Sequence, residues 1–411
     1  GFEGCIIQSV NRKKLEKTKR YLYIAGSILL AIVLAFTIFY FIARPSGRLD
    51  VVFSKDFDYH IQTTDIDPSG SHIFFGTAEG KLAILNQSGV EVATLDVGLP
   101  VLQLYLFPTR QHVLVRTSSF SVCYTYDGKL VWKHEIDEYY PEKIQELPKD
   151  RLGLYLRSKR GEKPIMAILD AKTGKEIKNL KLDIDKFDFN PVFMPDGNSF
   201  IFEVQTAMIA QVLLQPQMPM VWKASLDTRS GQFSSLEIKV TNSNLVICYF
   251  TKDANISQDN LAVHDLFVFD ADRLPKKSTQ TQELPLFWQA QVNGAIEDVQ
   301  IDGKTDTILV RAGTVYLYDR NGDSLAKEPE GSKYFYSLIG DKRYVSAFFL
   351  ENSSPENASV QFVARGIGRE GVLWRYTDTR QYLLPAITPS CDAMVIAALN
   401  QKRITYLRLS Q

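Results

Sequence analysis

Two hydrophobic patterns divide the chain. Tyr21 to Ala43 reads YLYIAGSILLAIVLAFTIFYFIA, 23 consecutive positions without a charged side chain. As an α-helix this run spans roughly 35 Å, enough to cross a bilayer core of ~30 Å with some tilt. From about Leu49 onward the pattern changes. Short runs rich in Val, Ile, Leu, Tyr and Phe alternate with Gly, Asp and Asn turns roughly every eight to twelve residues, the signal of an all-β sandwich, barrel or propeller. No amphipathic helical period interrupts them. The pattern predicts a tail over 1–20, a transmembrane helix over 21–43, a short linker over 44–48 and one β domain over 49–411.

The β runs group into units of roughly 45 residues, each read as four strands, which is the spacing of a propeller blade. SHIFFGTAEG, KLAILNQSG and VEVATLDVG form one set of three strands; HVLVRTSS, FSVCYTYDG and KLVWKHEID repeat it, as do RLGLYLRS, PIMAILDAKTG and KEIKNLKLD. Longer units follow, around Phe200 to Val240 and around Leu245 to Trp288. Compact ones then begin at DTILVRAG and YVSAFFLE. The last unit, AMVIAAL and RITYLRLS, lacks a final strand, and LDVVFSKDF at 49–57 has no hairpin partner of its own. Pairing the two would close a ring and leave no open edge there. The count is eight blades, with seven as the alternative because the fourth and fifth units are irregular. A domain of about 360 residues is too large for a single sandwich.

Turn chemistry agrees. DGK at Asp127, KTGK at Lys172, RSGQ at Arg229 and RNGD at Arg320 read as hairpins between third and fourth strands. Asn and Gly there supply the positive φ that tight hairpins need. PSG at Pro68 and PDG at Pro195 read as turns between first and second strands.

These repeats resemble a known family. AILDAKTGKEIKNL, Ala167 to Leu180, matches the A-x-D-x-x-T-G-K pattern of pyrroloquinoline-quinone-like (PQQ-like) propeller repeats through Asp170 and Gly174. YTYDGKLVWKHEI keeps D-G-K-x-x-W with Asp127, Gly128 and Trp132, and EGVLWRYTD keeps the tryptophan at Trp374. The resemblance implies an eight-bladed propeller with tryptophans packed between blades. Ile177 stands where one blade's tryptophan would be. The pattern overlaps with WD40-like repeats, so it speaks to fold more than to function. At repeat level the chain is also similar to the propeller lipoproteins of outer-membrane assembly, but it has an apolar helix in place of a lipobox cysteine.

Charge sets the topology. Arg12, Lys13, Lys14, Lys17, Lys19 and Arg20 precede the apolar run, and only Arg44 and Arg48 follow it closely. Basic flanks stay on the cytoplasmic side, so the N-terminus is expected inside and the propeller in the periplasm, at the inner (cytoplasmic) membrane. A cleaved signal peptide would have a shorter apolar stretch and a small-x-small site. Tyr21, Tyr23, Tyr40 and Phe41 lie at the ends of the run, where aromatic rings favour the headgroup layer. Of 47 basic and 47 acidic residues, six basic and two acidic precede the run, leaving a charge near −4 beyond it. That balance argues against nucleic-acid binding.

The residues offer little chemistry. Cys5, Cys123, Cys248 and Cys391 form no CxxC pair, and the last three sit in apolar runs that suit buried thiols. His60, His72, His112, His134 and His264 lack metal-ligand spacing. There is no G-x-S-x-G elbow. Asp170 reads as a turn cap. Sequons at Asn86, Asn255, Asn352 and Asn357 do not settle the host. Quinoproteins of the resembled family use calcium ligands and often a vicinal cysteine pair; this chain has no adjacent cysteines, so no cofactor or metal is expected. Two stretches depart from the repeat. Ala207 to Met220 is apolar and carries Met208, Met218 and Met220, and reads either as an adaptable contact surface or as a long buried hairpin. Ala271 to Phe287 is polar and proline-flanked. The expected function is a non-enzymatic, membrane-anchored scaffold that binds protein partners and touches lipid through one helix, with no small-molecule substrate. The alternative is a quinoprotein-like enzyme or a ligand sensor using the central channel.

Overall fold

The computed structural model describes residues 47–410 apart from 136–137, 183–189, 206, 227–234, 252–262, 274–280, 330–332, 351–358, 369–370 and 381–382. The helix expected over 21–43, with Tyr21, Tyr23, Tyr40 and Phe41, lies outside the described residues. Among the described residues no helix is long and apolar enough to cross a membrane.

Eight sheets follow one another along the chain, and all but one have four antiparallel strands. Blade 2 is representative: Gln103–Phe107, His112–Arg116, Phe120–Thr125 and Leu130–Glu135, from the innermost strand to the outermost. Blade 1 falls within 61–96, blade 3 within 139–181, blade 6 within 298–327 and blade 7 within 333–378. Blade 8 joins the two ends of the described chain. Its inner three strands are Leu383–Ile387, Ala393–Ala398 and Arg403–Leu409, and its outer strand is Leu49–Asp56. Leu49 pairs with Leu409 and Asp56 with Arg403. The molecule is therefore an eight-bladed β-propeller.

Burial explains why the repeat was readable. The second and third strands of each blade are covered on both faces by neighbouring blades, so they read as unbroken apolar runs. IFFGT at 73–77 is buried throughout, as is LAIL at 82–85. Outer strands keep one face in water and alternate, as Glu91–Asp96 does. The core is divided into eight apolar clusters, and each fills one seam between consecutive blades, including that between blades 8 and 1. A cluster at every seam makes the ring continuous.

The fourth and fifth units are divided differently from the sequence pattern. Blade 4 begins with a two-residue strand, Val192–Phe193, and continues through Ser199–Gln205, Met208–Leu213 and Met220–Ser225. Blade 5 comprises Ser235–Val240, Leu245–Thr251, Val263–Asp270 and Leu286–Asn293. The boundary lies before Ser235 rather than after Val240, because the weak first strand of blade 4 carries little apolar signal. RSGQ at Arg229 lies outside the described residues, in the stretch that follows the outer strand of blade 4 and precedes Ser235. Part of the polar stretch Ala271 to Phe287 returns to blade 4. Gln282–Glu283 adds a fifth, parallel strand to its outer edge, with Trp222 opposite Gln282.

Candidate functional site

A single joint recurs around the ring. Near the start of each outer strand the ladder register slips, and the residue just past the slip faces the next blade. In blades 1 to 8 that position holds Ala93, Trp132, Lys178, Trp222, Trp288, Ala326, Trp374 and Phe53. All four tryptophans of the chain occupy it. Sequence reasoning found Trp132 and Trp374 but missed Trp222 and Trp288, because no glycine turn stands in the chain just before them. The vacancy assigned to Ile177 belongs to Lys178; Ile177 itself is exposed at 56%.

Each joint has a receiving turn. Trp132 is buried, and its Nε1 donates to the Ala171 carbonyl of blade 3 at 2.9 Å. Asp170 shapes that turn by accepting from Lys172 N, Thr173 N and Thr173 Oγ1 at 2.8 to 3.0 Å. The Thr173 hydroxyl and amide hold its carboxyl below the usual range. Gly174 has φ +66°, and a Cβ there would lie 2.6 Å from the Trp132 ring, so no other residue fits without displacement. Trp288 repeats the arrangement on Arg320 O at 2.9 Å, above Gly322. Trp374 donates to Cys391 O at 2.5 Å. Trp222 is only 1% exposed, yet its Nε1 has no hydrogen-bond partner among the described residues. Asp127 and Gly128 form the turn of blade 2; there Asp127 accepts from the Thr125 hydroxyl and pairs with Lys129 at 2.7 Å. A Cβ on Gly128 would meet Ala93 of blade 1.

Where the tryptophan is missing, other groups fill the seam. Between blades 6 and 7 the apolar cluster is small. There the Glu328 carboxylate is buried and receives Tyr344 OH at 2.7 Å and Arg365 at 2.8 Å. Between blades 3 and 4 Met218 packs against the cluster that contains Leu182 and Phe193. Met208 and Met220 lie on paired strands of blade 4, with Met220 exposed at 39%. The methionine-rich stretch is thus a blade hairpin with Met218 in its turn.

Inner strands line a central channel with a cavity of about 540 Å³ beside blades 2 to 6. Polar side chains stitch the inner strands together. Gln145 bonds both the amide and the carbonyl of Phe193, at 3.0 and 2.9 Å. Lys239 pairs with Asp298 at 3.1 Å and donates to Val299 O. Gln300 donates to Ser337 O at 2.7 Å, and Thr64 to Leu384 O at 2.8 Å. Two groups are less well matched. Burial pushes the Asp65 carboxyl up to about 7, opposed only by the Ile66 amide. Burial also pushes the Lys143 ammonium down, against the pull of the Glu237 and Glu142 carboxylates.

Cys123, Cys248 and Cys391 are free and buried. Burial raises all three thiols, Cys123 and Cys391 to about 12, so none is a ready nucleophile. His60 Nδ1 lies 2.5 Å from Glu79 Oε1. Burial lowers His112 and His134. Among the described residues no cluster of three or more His, Cys, Asp or Glu is placed to hold a metal.

No family model and no curated protein matches the chain. Solved structures do. The C-terminal WD40 domain of Sif2 is similar with a TM-score of 0.60 and 11% identity, over 89% of this chain and 99% of that one. The β-propeller domain of Myceliophteria thermophila Cps50 (Swd1) is similar with a TM-score of 0.50 and 10% identity, over 88% and 100%. At such identities the likeness establishes a WD40-like β-propeller fold.

Proposed function

We propose that this chain is a membrane-anchored β-propeller acting as a non-enzymatic interaction subunit of an envelope or membrane protein complex. The observation that carries the reading is the closed ring, in which every blade seam is filled and the polar channel residues are largely spent on holding strands together. What such a ring offers a partner is its two rigid faces and the loops on them. WD40-like domains of similar fold support a protein-interaction role by analogy alone. The 23-residue apolar run and the basic excess before it support an inner-membrane anchor with the propeller in the periplasm. The D-x-x-T-G-K turn and its tryptophan partner support a PQQ-like repeat ancestry.

Extraction of the full chain in mild detergent tests the reading. Defined membrane proteins are expected to co-purify with it in fixed stoichiometry. A chain that migrates alone at every concentration would count against it. The channel cavity favours a second reading, a ligand-sensing propeller or a quinoprotein-like enzyme. Absorbance and mass analysis of the same material decides that: a stoichiometric quinone, calcium ion or small molecule would replace the scaffold reading.

A further inference from the structure

The exposed apolar side chains are not scattered over the propeller. One face carries the turns from first to second strand and from third to outer strand. At the start of the outer strands on that face stand Val51, Val90, Leu130, Ile177, Leu286 and Leu325, from blades 8, 1, 2, 3, 5 and 6, all exposed. Blade 4 contributes Met220 and Val221. Near the opposite face the exposed large apolar residues are Leu102, Phe349 and Leu399. Isolated apolar residues on a surface need no explanation, but one or two near the start of the outer strand in blade after blade form a rim.

Blade 7 is the exception, and its exception locates the chain. The start of its outer strand, Val372–Asp378, is half-buried. Gly47 N donates to Leu373 O at 2.8 Å beside it, and Ser410 N donates to Arg48 O at 2.9 Å. The chain therefore reaches the propeller on the rim-bearing face. The uncharged run ends at Ala43, four residues before Gly47. Four residues span at most about 14 Å.

The geometry points to this rim as the surface on which the propeller rests against the lipid bilayer. The proposal rests on the membrane-anchor reading given above and adds which face meets the lipid. A tether of this length holds the face at the bilayer surface, where even weak apolar contacts are sampled at high effective concentration. The charges of the hairpin tips fit a tethered contact rather than electrostatic capture. Lys129 is paired with Asp127 and Lys172 with Asp150, both at 2.7 Å, so these tip cations are matched by carboxylates rather than left for anionic lipid. The opposite face, with the turns between second and third strands, is left to protein partners.

Site-directed spin labelling of the full chain in phosphatidylcholine–phosphatidylglycerol nanodiscs tests this. Cys5→Ser removes the thiol outside the described residues; the other three are buried. Leu130→Cys, Ile177→Cys and Leu325→Cys sample the rim, and Leu102→Cys and Leu399→Cys sample the opposite side. The ratio of oxygen to nickel-chelate accessibility is expected to be several-fold higher at the rim. Equal ratios at all five positions overturn the proposal. Protection of the rim labels from both probes means a protein covers them, and overturns it too. A chain that does not insert in the discs at all refutes the anchor reading itself.

Discussion

At the scale of single residues, the post-slip position of the outer strand carries the most weight. At Trp132 and Trp288 the next blade offers both a carbonyl and a glycine-bearing turn, and the pairing is reciprocal. Trp132 needs the Ala171 carbonyl, and Gly174 must lack a Cβ for the ring to fit. The orphaned Nε1 of Trp222 makes a controlled comparison available. Trp132→Phe removes a made hydrogen bond and leaves a buried carbonyl short of a donor, whereas Trp222→Phe removes a donor without a partner among the described residues. Denaturant unfolding is expected to show the Trp132 variant less stable than the Trp222 variant by about 1–2 kcal/mol. Asp65 gives a second test at this scale. Its carboxyl is raised to about 7 in the fold against 3.8 in the free residue. The folded state thus holds the proton more tightly, and stability falls as pH rises between those values. Asp65→Asn is expected to leave the melting temperature nearly unchanged at pH 4. At pH 8 it should stabilise the protein, on the order of 1–2 kcal/mol after allowance for channel water. A variant equally stabilised at both pH values would show that ionisation is not the cause.

At the scale of elements, the closing strand is decisive. Leu49–Asp56 makes blade 8 complete by pairing across the two ends of the described chain, and Leu49 and Phe53 pack into seams on either side of that blade. Its most visible polar contact, the Asp56–Arg403 pair at 2.7 Å, is solvent-exposed on both sides and should matter little. Deleting residues 49–56 is expected to abolish protection of the Arg403–Leu409 amides in hydrogen exchange and to lower the melting temperature sharply. Asp56→Asn should leave both unchanged. Most elements were legible because doubly covered strands are continuously apolar and hairpin turns spell themselves with Gly and Asn. The unpaired runs at 49–57 and at the end of the chain announced the pairing. Legibility failed where local signal and tertiary role part company. Val192–Phe193 is too short to show a period, and Gln282–Glu283 pairs only because the chain returns to the edge of blade 4. The methionine-rich stretch looked like an insertion because its turn, Gln215 to Met218, has no glycine; Met218 itself takes φ +43° there.

At the scale of the whole molecule, the ring presents two faces built from loops of different blades. The seams were partly readable: two of four tryptophans came with recognisable turns, but Glu328, buried between Tyr344 and Arg365, sits in a stretch that reads as surface. The function was less legible than the fold, because contact surfaces on a propeller are composed from loops of different blades. In the function we propose, the propeller is an interaction subunit held at a membrane. Chemical cross-linking in intact membranes of the source organism, followed by peptide mass spectrometry, measures this most directly. Cross-links are expected from lysines on the face away from the rim, such as Lys159 and Lys402 in turns between second and third strands, to one or a few defined membrane-complex proteins. Recovery of the chain with cross-links only within itself, together with thermal stabilisation by a small molecule bound in the channel, would contradict it.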